Sequence, residues 1–301
     1  MKHLVPDDRG LGTAYERYCF YQLLDAWAAS FGVETFLEGP VDGMAGVAGV
    51  HGVGLARRGV KVVSAVPTEE HARVARAIYA TCDAPAQVIV SGEDELDKLP
   101  RSDMVVCYHA LSFVDDWRGY LQRVAALAKK VLIVTVCNPD NWGVAIIRSL
   151  GRMRGIQGVE APESWQTNVL APELWKYGRV REHTYFDCPW WPDLQVSPGQ
   201  SLTDRLKRLV AVKKKFNFTD TVEESKVADK YVYDEKQWPY FGGAGWADEL
   251  LPGLLKHPSF EGASKKVRAR AAHLHGFVVD MRPRTPRERR RLTQLESEKP
   301  G

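Results

Sequence analysis

The sequence predicts an α/β protein built on a doubly wound, mostly parallel sheet, and two observations carry the prediction. Over the first 137 of 301 residues, strand-like and helix-like stretches alternate five times. The third, fourth and fifth strand-like stretches are near-continuous apolar runs, the pattern of strands buried on both faces. Right-handed crossovers then gather the loops that follow the strands along one edge of the sheet.

The elements follow in order. Ala14 to Gly32 places apolar and aromatic residues at helical spacing and stops at a glycine, so a helix is expected. "ETFLEG" is a short first strand. Gly43 to Arg58 is expected to be helical despite its glycines, and "VKVVSAV" (Val60 to Val66) is the second strand. Thr68, Glu69 and Glu70 after Pro67 signal a helix start, with the helix running to about Cys82. "AQVIVSG" and "DMVVCYHAL" are the third and fourth strands. "WRGYLQRVAALAKK" is a helix whose two closing lysines suit its dipole, and "VLIVTV" is the fifth strand. Beyond Asn138, "NWGVAIIRSLGRM" and "APELWKYG" read as helices and "VREHTYFD" as a strand. "LTDRLKRLVAVKKK" is an amphipathic helix and "AAHLHGFVVDMRP" a late strand.

The expected organisation is a core over residues 1–187 with an N-terminal helix, then an aromatic-rich insertion over 188–265. The last sheet strand follows at 266–282 and a basic, disordered tail at 283–301. Composition is that of a globular protein, with 45% hydrophobic and 26% charged residues. Net charge is +3, but Arg282 to Arg291 alone carries +5, leaving the rest of the chain at −2. Five scattered cysteines with no C-x-x-C argue against a disulfide framework or a zinc ribbon. No apolar leader opens the chain, and the strongest apolar run is too short for a bilayer. A cytoplasmic protein with no transmembrane segment is expected.

Function is concentrated in the turn after the first strand, "FLEGPVDGMAG". It stands at the carboxyl edge of the expected sheet, where backbone exposed at glycines approaches ligands. Its acids, Glu38 and Asp42, suit an ammonium group or ribose hydroxyls better than a pyrophosphate. No G-x-G opens the turn, and the acid a dinucleotide site wants at the end of the second strand is replaced by Ser64.

These stretches, with "VVSAVPTEEHARVAR", "VIVSGEDEL" and above all "DMVVCYHALSFVDDWRGYLQRVAALAKK" followed by "VLIVTVCNP", resemble class I S-adenosylmethionine-dependent methyltransferases. The resemblance spans about Ala14 to Asn138 and, more weakly, the late strand pair. It implies a seven-stranded sheet of that type and S-adenosyl-L-methionine as cofactor. It implies that Glu38, Gly39, Asp42 and Gly43 hold the methionine part, with Ser64 where the family has its ribose-binding acid. Glu93 or Asp94 would lie near the adenine. Tyr108 and His109, just past the fourth strand, would border cofactor and substrate, with His109 the nearest candidate base and Tyr108 its substitute.

The expected acceptor is a small or apolar organic molecule. Trp190 and Trp191 in the insertion, with Tyr15 and Tyr18 on the first helix, would close around it. Gly49 and Gly52 are read as packing glycines, and His51 as a core or surface histidine. His183, His273 and His275 lack partners at a known ligand spacing, so no metal is expected. Three rivals stand beside the methyltransferase reading: a non-catalytic module of the same fold, an RNA methyltransferase using the basic tail, and a nicotinamide oxidoreductase. Nucleic acid is the less favoured partner, and the sequence leaves the oligomeric state open.

Overall fold

A computed structural model describes residues 11–41, 47–153, 161–189 and 259–283. The turn residues Asp42 and Gly43, the tryptophans 190 and 191, most of the insertion, its amphipathic helix and the basic tail lie outside them.

Helix α1 (Leu11–Phe31) leads into β1 (Thr35–Glu38), a short helix α2 (Val53–Arg57) and β2 (Lys61–Val66). Then come α3 (Glu69–Thr81), β3 (Ala86–Val90), β4 (Ser102–Tyr108), α4 (Trp117–Leu127) and β5 (Ala128–Cys137). Helices α5 (Trp142–Met153) and α6 (Thr167–Trp175), strand β6 (Arg179–Phe186), helix α7 (Lys265–Ala271) and strand β7 (Leu274–Asp280) complete the described chain. One sheet of seven strands results, in the order β3-β2-β1-β4-β5-β7-β6. The first five strands run parallel, and β7 lies antiparallel between β5 and β6. The expected doubly wound, mostly parallel seven-stranded sheet is therefore present, with the late hairpin of the class I methyltransferase type.

The core follows from the strand sequences. Every residue of β4 and β7 is buried, as are Val131 to Cys137 of β5, so these runs need no polar face. Methylene by methylene, such burial is the main force that holds the layers together, at roughly 25 cal/mol per Å² of apolar surface. Thr68 caps α3 by accepting a hydrogen bond from the His71 backbone N–H, which sets the start the sequence predicts.

Three expectations are corrected. Strand β3 forms one edge of the sheet and is half exposed, so its apolar run does not mean burial on both faces. The two lysines expected to close α4 belong to β5. Ala128 already pairs with Ser102, and Lys130 forms an ion pair at 3.0 Å with Asp103. Within the helix expected over Gly43 to Arg58, the described part is helical only at Val53–Arg57, and Val47 to Gly52 forms a turn instead. Gly49 explains why: it stands at φ +78°, outside the helical region. Gly49 and Gly52 are packing glycines, as expected, but of a turn and not of a helix.

Candidate functional site at the carboxyl edge

Strands β1, β2, β4, β5 and β6 end, and β7 begins, on the same edge of the sheet. Between β1 and β4 the strand order reverses, and such a switch point leaves a crevice between the loops. Two groups of polar side chains meet there.

The first group surrounds β1 and β2. Glu38 is almost fully buried and is a register partner of Ser64 on the neighbouring strand. Its Oε2 accepts from the backbone N–H of His51 at 3.0 Å, and its Oε1 lies 2.6 Å from His51 Nδ1. The Ser64 hydroxyl donates to the Gly49 carbonyl at 2.6 Å. Both strand-end groups are thus bonded to one turn, Val47 to Gly52. The opposite side of that turn is held by α1: buried Arg17 donates to the Val47 carbonyl and the Tyr21 hydroxyl to the Val50 carbonyl, each at 2.5 Å. A Cβ on Gly49 would stand 2.4 Å from Val66 Cγ1 and 2.8 Å from Ser64 Oγ, so only glycine fits. A Cβ on Gly52 would fall 2.6 Å from Val62 Cγ1. His51 is fully buried, its ring 5.1 Å from Phe20 and 4.3 Å from Tyr108. The histidine expected in the core or on the surface is therefore in the core, where it fills the space between the ends of β1 and β4.

The second group lies on the far side of Tyr108, the last residue of β4. The Tyr108 hydroxyl donates to Glu16 Oε1 at 2.6 Å. Burial, reinforced by the neighbouring Asp187 charge, pushes the Glu16 carboxyl up to about 8, against the opposing pull of Tyr108, Arg17 and His273. Asp187 follows β6 in the left-handed region, at φ 57°, and lies 3.0 Å from His273 Nδ1. The same α1 face presents Tyr15 and Cys19 to Glu261 Oε1, at 3.3 and 3.4 Å, and that oxygen also accepts from the Cys188 backbone N–H at 2.6 Å. Burial raises the pKa values of Tyr15, Cys19 and Cys188 well above neutral pH, so these groups stay protonated and the thiols are not nucleophiles.

The sequence-predicted residues distribute as follows. Glu38, Gly39, Ser64 and Tyr108 come together at the switch point, with Gly39 donating to the Val106 carbonyl across to β4. Glu93 and Asp94 are exposed, in the 3₁₀ turn Glu93–Lys98 beyond β3. Tyr15 is buried and Tyr18 half-buried on α1. His109 sits at φ 50° and turns toward β5: its Nε2 is 2.8 Å from Cys137 Sγ, and its ring adjoins Trp165 at 6.1 Å. His183 and His275 lie 2.9 Å apart on β6 and β7, and burial lowers them to about 4 and about 3, leaving a neutral pair. No group of three or more metal-ligating side chains occurs among the described residues. Sequence reasoning missed Glu16, Asp187, Glu261 and His273. Asp187 did carry a signal, as an acidic residue closing an alternating strand on the functional edge.

S-adenosylmethionine, the cofactor the resemblance implies, presents an ammonium, a sulfonium and ribose hydroxyls. The exposed carboxylates Glu93 and Asp94 and the backbone at Gly39 suit such a ligand. Gly39 is buried, and a Cβ there would lie 3.2 Å from the Tyr120 hydroxyl, so its backbone packs closely where β1 leaves the sheet. Glu38 and Ser64 do not fit a direct contact, because both are buried and bonded to the turn.

Comparison with known proteins gives one kind of match. No protein-family model matches the chain, and no curated protein does. Among solved structures, the chain is similar to magnesium protoporphyrin IX methyltransferase from Synechocystis PCC 6803 with bound SAH, at 14% identity and a TM-score of 0.46, over 60% of this chain and 82% of that one. It is similar to the plantazolicin methyltransferase BamL, at 9% identity and a TM-score of 0.43, over 90% and 85%. An S-adenosylmethionine-dependent methyltransferase from Clostridium acetobutylicum ATCC 824 matches at 11% identity and a TM-score of 0.35, over 46% and 54%.

Proposed function

We propose that this chain is a class I S-adenosylmethionine-dependent methyltransferase that acts on a small organic acceptor. The observation that carries the reading is the switch point between β1 and β4. It is walled by a glycine turn on one side and by the Tyr108–Glu16 pair on the other, on a sheet with the strand order of that fold. The cofactor supplies a methyl group made reactive by its sulfonium, so the protein's part is alignment, exclusion of water and handling of one proton.

Gly39, with Asp42 and Gly43, holds the methionine part in this reading, and Glu93 or Asp94 meets the adenosine. Tyr15 and Tyr18, with Trp190 and Trp191, wall the acceptor. Tyr108 orients the acceptor, and Glu16 takes its proton. A carboxyl near 8 is matched to that work, since proton transfer is most efficient when the group's acidity lies close to the operating pH. His109, the first candidate base in the sequence, is held on the β5 side by Cys137, so the proton passes to Glu16. All five cysteines stand as thiols, which favours a reducing compartment such as the cytoplasm. No described helix is long and apolar enough to cross a membrane.

One observation favours the non-catalytic alternative: Ser64 replaces the ribose-binding acid and is bonded inward. Calorimetric titration with S-adenosylhomocysteine decides between the two. The enzyme reading expects saturable heat with a micromolar Kd, at the tight end of the roughly 1 µM–1 mM span of enzyme KM values. Absence of heat at high micromolar ligand sinks it.

A further inference from the structure

Glu38 and Ser64 are register partners on adjacent strands and end at the crevice, which makes them the natural contacts for a ligand's ammonium and ribose. Their geometry says otherwise. Both are buried, Glu38 with 1% and Ser64 with 0% of its surface exposed. Both are committed to one turn: Glu38 through the backbone and ring of His51, Ser64 through the Gly49 carbonyl. Arg17 and Tyr21 fasten the same turn from α1, through the carbonyls of Val47 and Val50. Four of its six residues are therefore bonded, from two opposite sides. Gly49 lies against β2 so closely that no side chain would fit.

We infer that Glu38, His51 and Ser64 are positioning residues: they clamp the Val47–Gly52 turn and shape the crevice through it, and do not themselves touch the cofactor. The inference rests on the methyltransferase reading for the identity of the ligand. The clamp itself stands on the turn alone. Its physical advantage is preorganisation, because a crevice wall already fixed by protein bonds loses little freedom when a ligand arrives. It also accounts for the serine. A carboxylate at position 64 would face the Gly49 carbonyl, acceptor against acceptor, whereas a hydroxyl donates to it.

The test uses two ligands that differ in one part. S-adenosylhomocysteine carries the amino-acid group, and 5′-methylthioadenosine lacks it. Calorimetry of both, with hydrogen exchange of the turn amides, is run on the full chain and on Glu38→Gln and Ser64→Ala. A clamp predicts that each substitution changes the two affinities by the same factor, within about twofold. It also predicts that the loss tracks the increase in turn exchange. Ser64→Ala loosens the turn and weakens both ligands about three- to thirty-fold, the cost of a binding-competent turn that is only fractionally populated. Glu38→Gln retains a side-chain acceptor for the His51 N–H, so it weakens both ligands less than Ser64→Ala does. If Glu38→Gln weakens S-adenosylhomocysteine at least about fivefold more than methylthioadenosine, Glu38 touches the ammonium and the inference is overturned. Turn exchange that is unchanged in both variants also overturns it, whatever the ligands do. A wild-type chain that binds neither ligand overturns the methyltransferase reading, and leaves the exchange measurement to decide the clamp alone.

Discussion

The two walls of the crevice are built in opposite ways. The wall at β1 and β2 is closed by neighbours in sequence: Glu38 and His51 are 13 residues apart, Gly49 and Ser64 are 15 apart. The wall at β4 draws Glu16, Tyr108, Asp187 and the pair Glu261 and His273 from four distant stretches. Polar groups on the first wall are spent on one another. On the second, a carboxyl is left at an acidity near neutral by burial and a neighbouring charge. The first wall is therefore scaffold and the second is where protons can move, although the sequence motif draws the eye to the first.

Substitutions that act on one wall and spare the other break or sharpen this contrast. The largest expected effect is Gly49→Val on the scaffold wall. A β-branched side chain at φ +78°, with its Cβ 2.4 Å from Val66, costs on the order of 3 kcal/mol or more. Urea unfolding measures it, and a loss below about 1 kcal/mol would mean that the turn yields.

Glu16→Gln comes next, on the second wall. Methyl transfer is expected to fall about 100-fold with the affinity for S-adenosylhomocysteine held within about twofold, which is the signature of a lost base. Parallel losses in both would return Glu16 to a structural role. Tyr108→Phe removes the hydroxyl but keeps the ring beside His51 and Phe20, so the expected loss is smaller, about tenfold.

A pH profile of stability probes the same wall. Glu16 is raised in the folded protein above its ordinary value of 4.5, so its contribution favours the folded state most at low pH. That contribution declines as pH rises from about 4.5 and is lost by about 8. Glu16→Gln should flatten this slope in unfolding midpoints, and an unchanged slope would place the shift elsewhere. The smallest effect belongs to His109→Asn. Asparagine tolerates the left-handed backbone, and turnover should stay within about threefold of wild type. A loss as large as that of Glu16→Gln would restore His109 as the base.

The sheet was readable because its central strands are buried on both faces, and Met104 to Tyr108 and Val131 to Cys137 spell that burial directly. The edge strand β3 carries a similar apolar run and is half exposed, because the chemistry of the run does not say whether a neighbour covers it. The glycine turn misled in another way. Glycines every three residues are compatible with a helix face, and only the backbone angle of Gly49 reveals a turn. In the site, Tyr108 could be found from its place at the end of a strand. Glu16 could not, since its raised pKa comes first from burial and then from the charge of Asp187, which lies 171 positions away and meets it only in the folded chain.

Pro189 and Ser259 form a single β-bridge, and Phe260 N–H reaches back to the Cys188 carbonyl. The chain therefore departs from the core and rejoins it at one doorway, although 69 residues separate the two posts. Such a doorway is a natural splice junction. Whatever lies between the posts can lengthen, shorten or be exchanged over generations while the sheet keeps its register, so that segment can evolve on a faster clock than the frame that carries it.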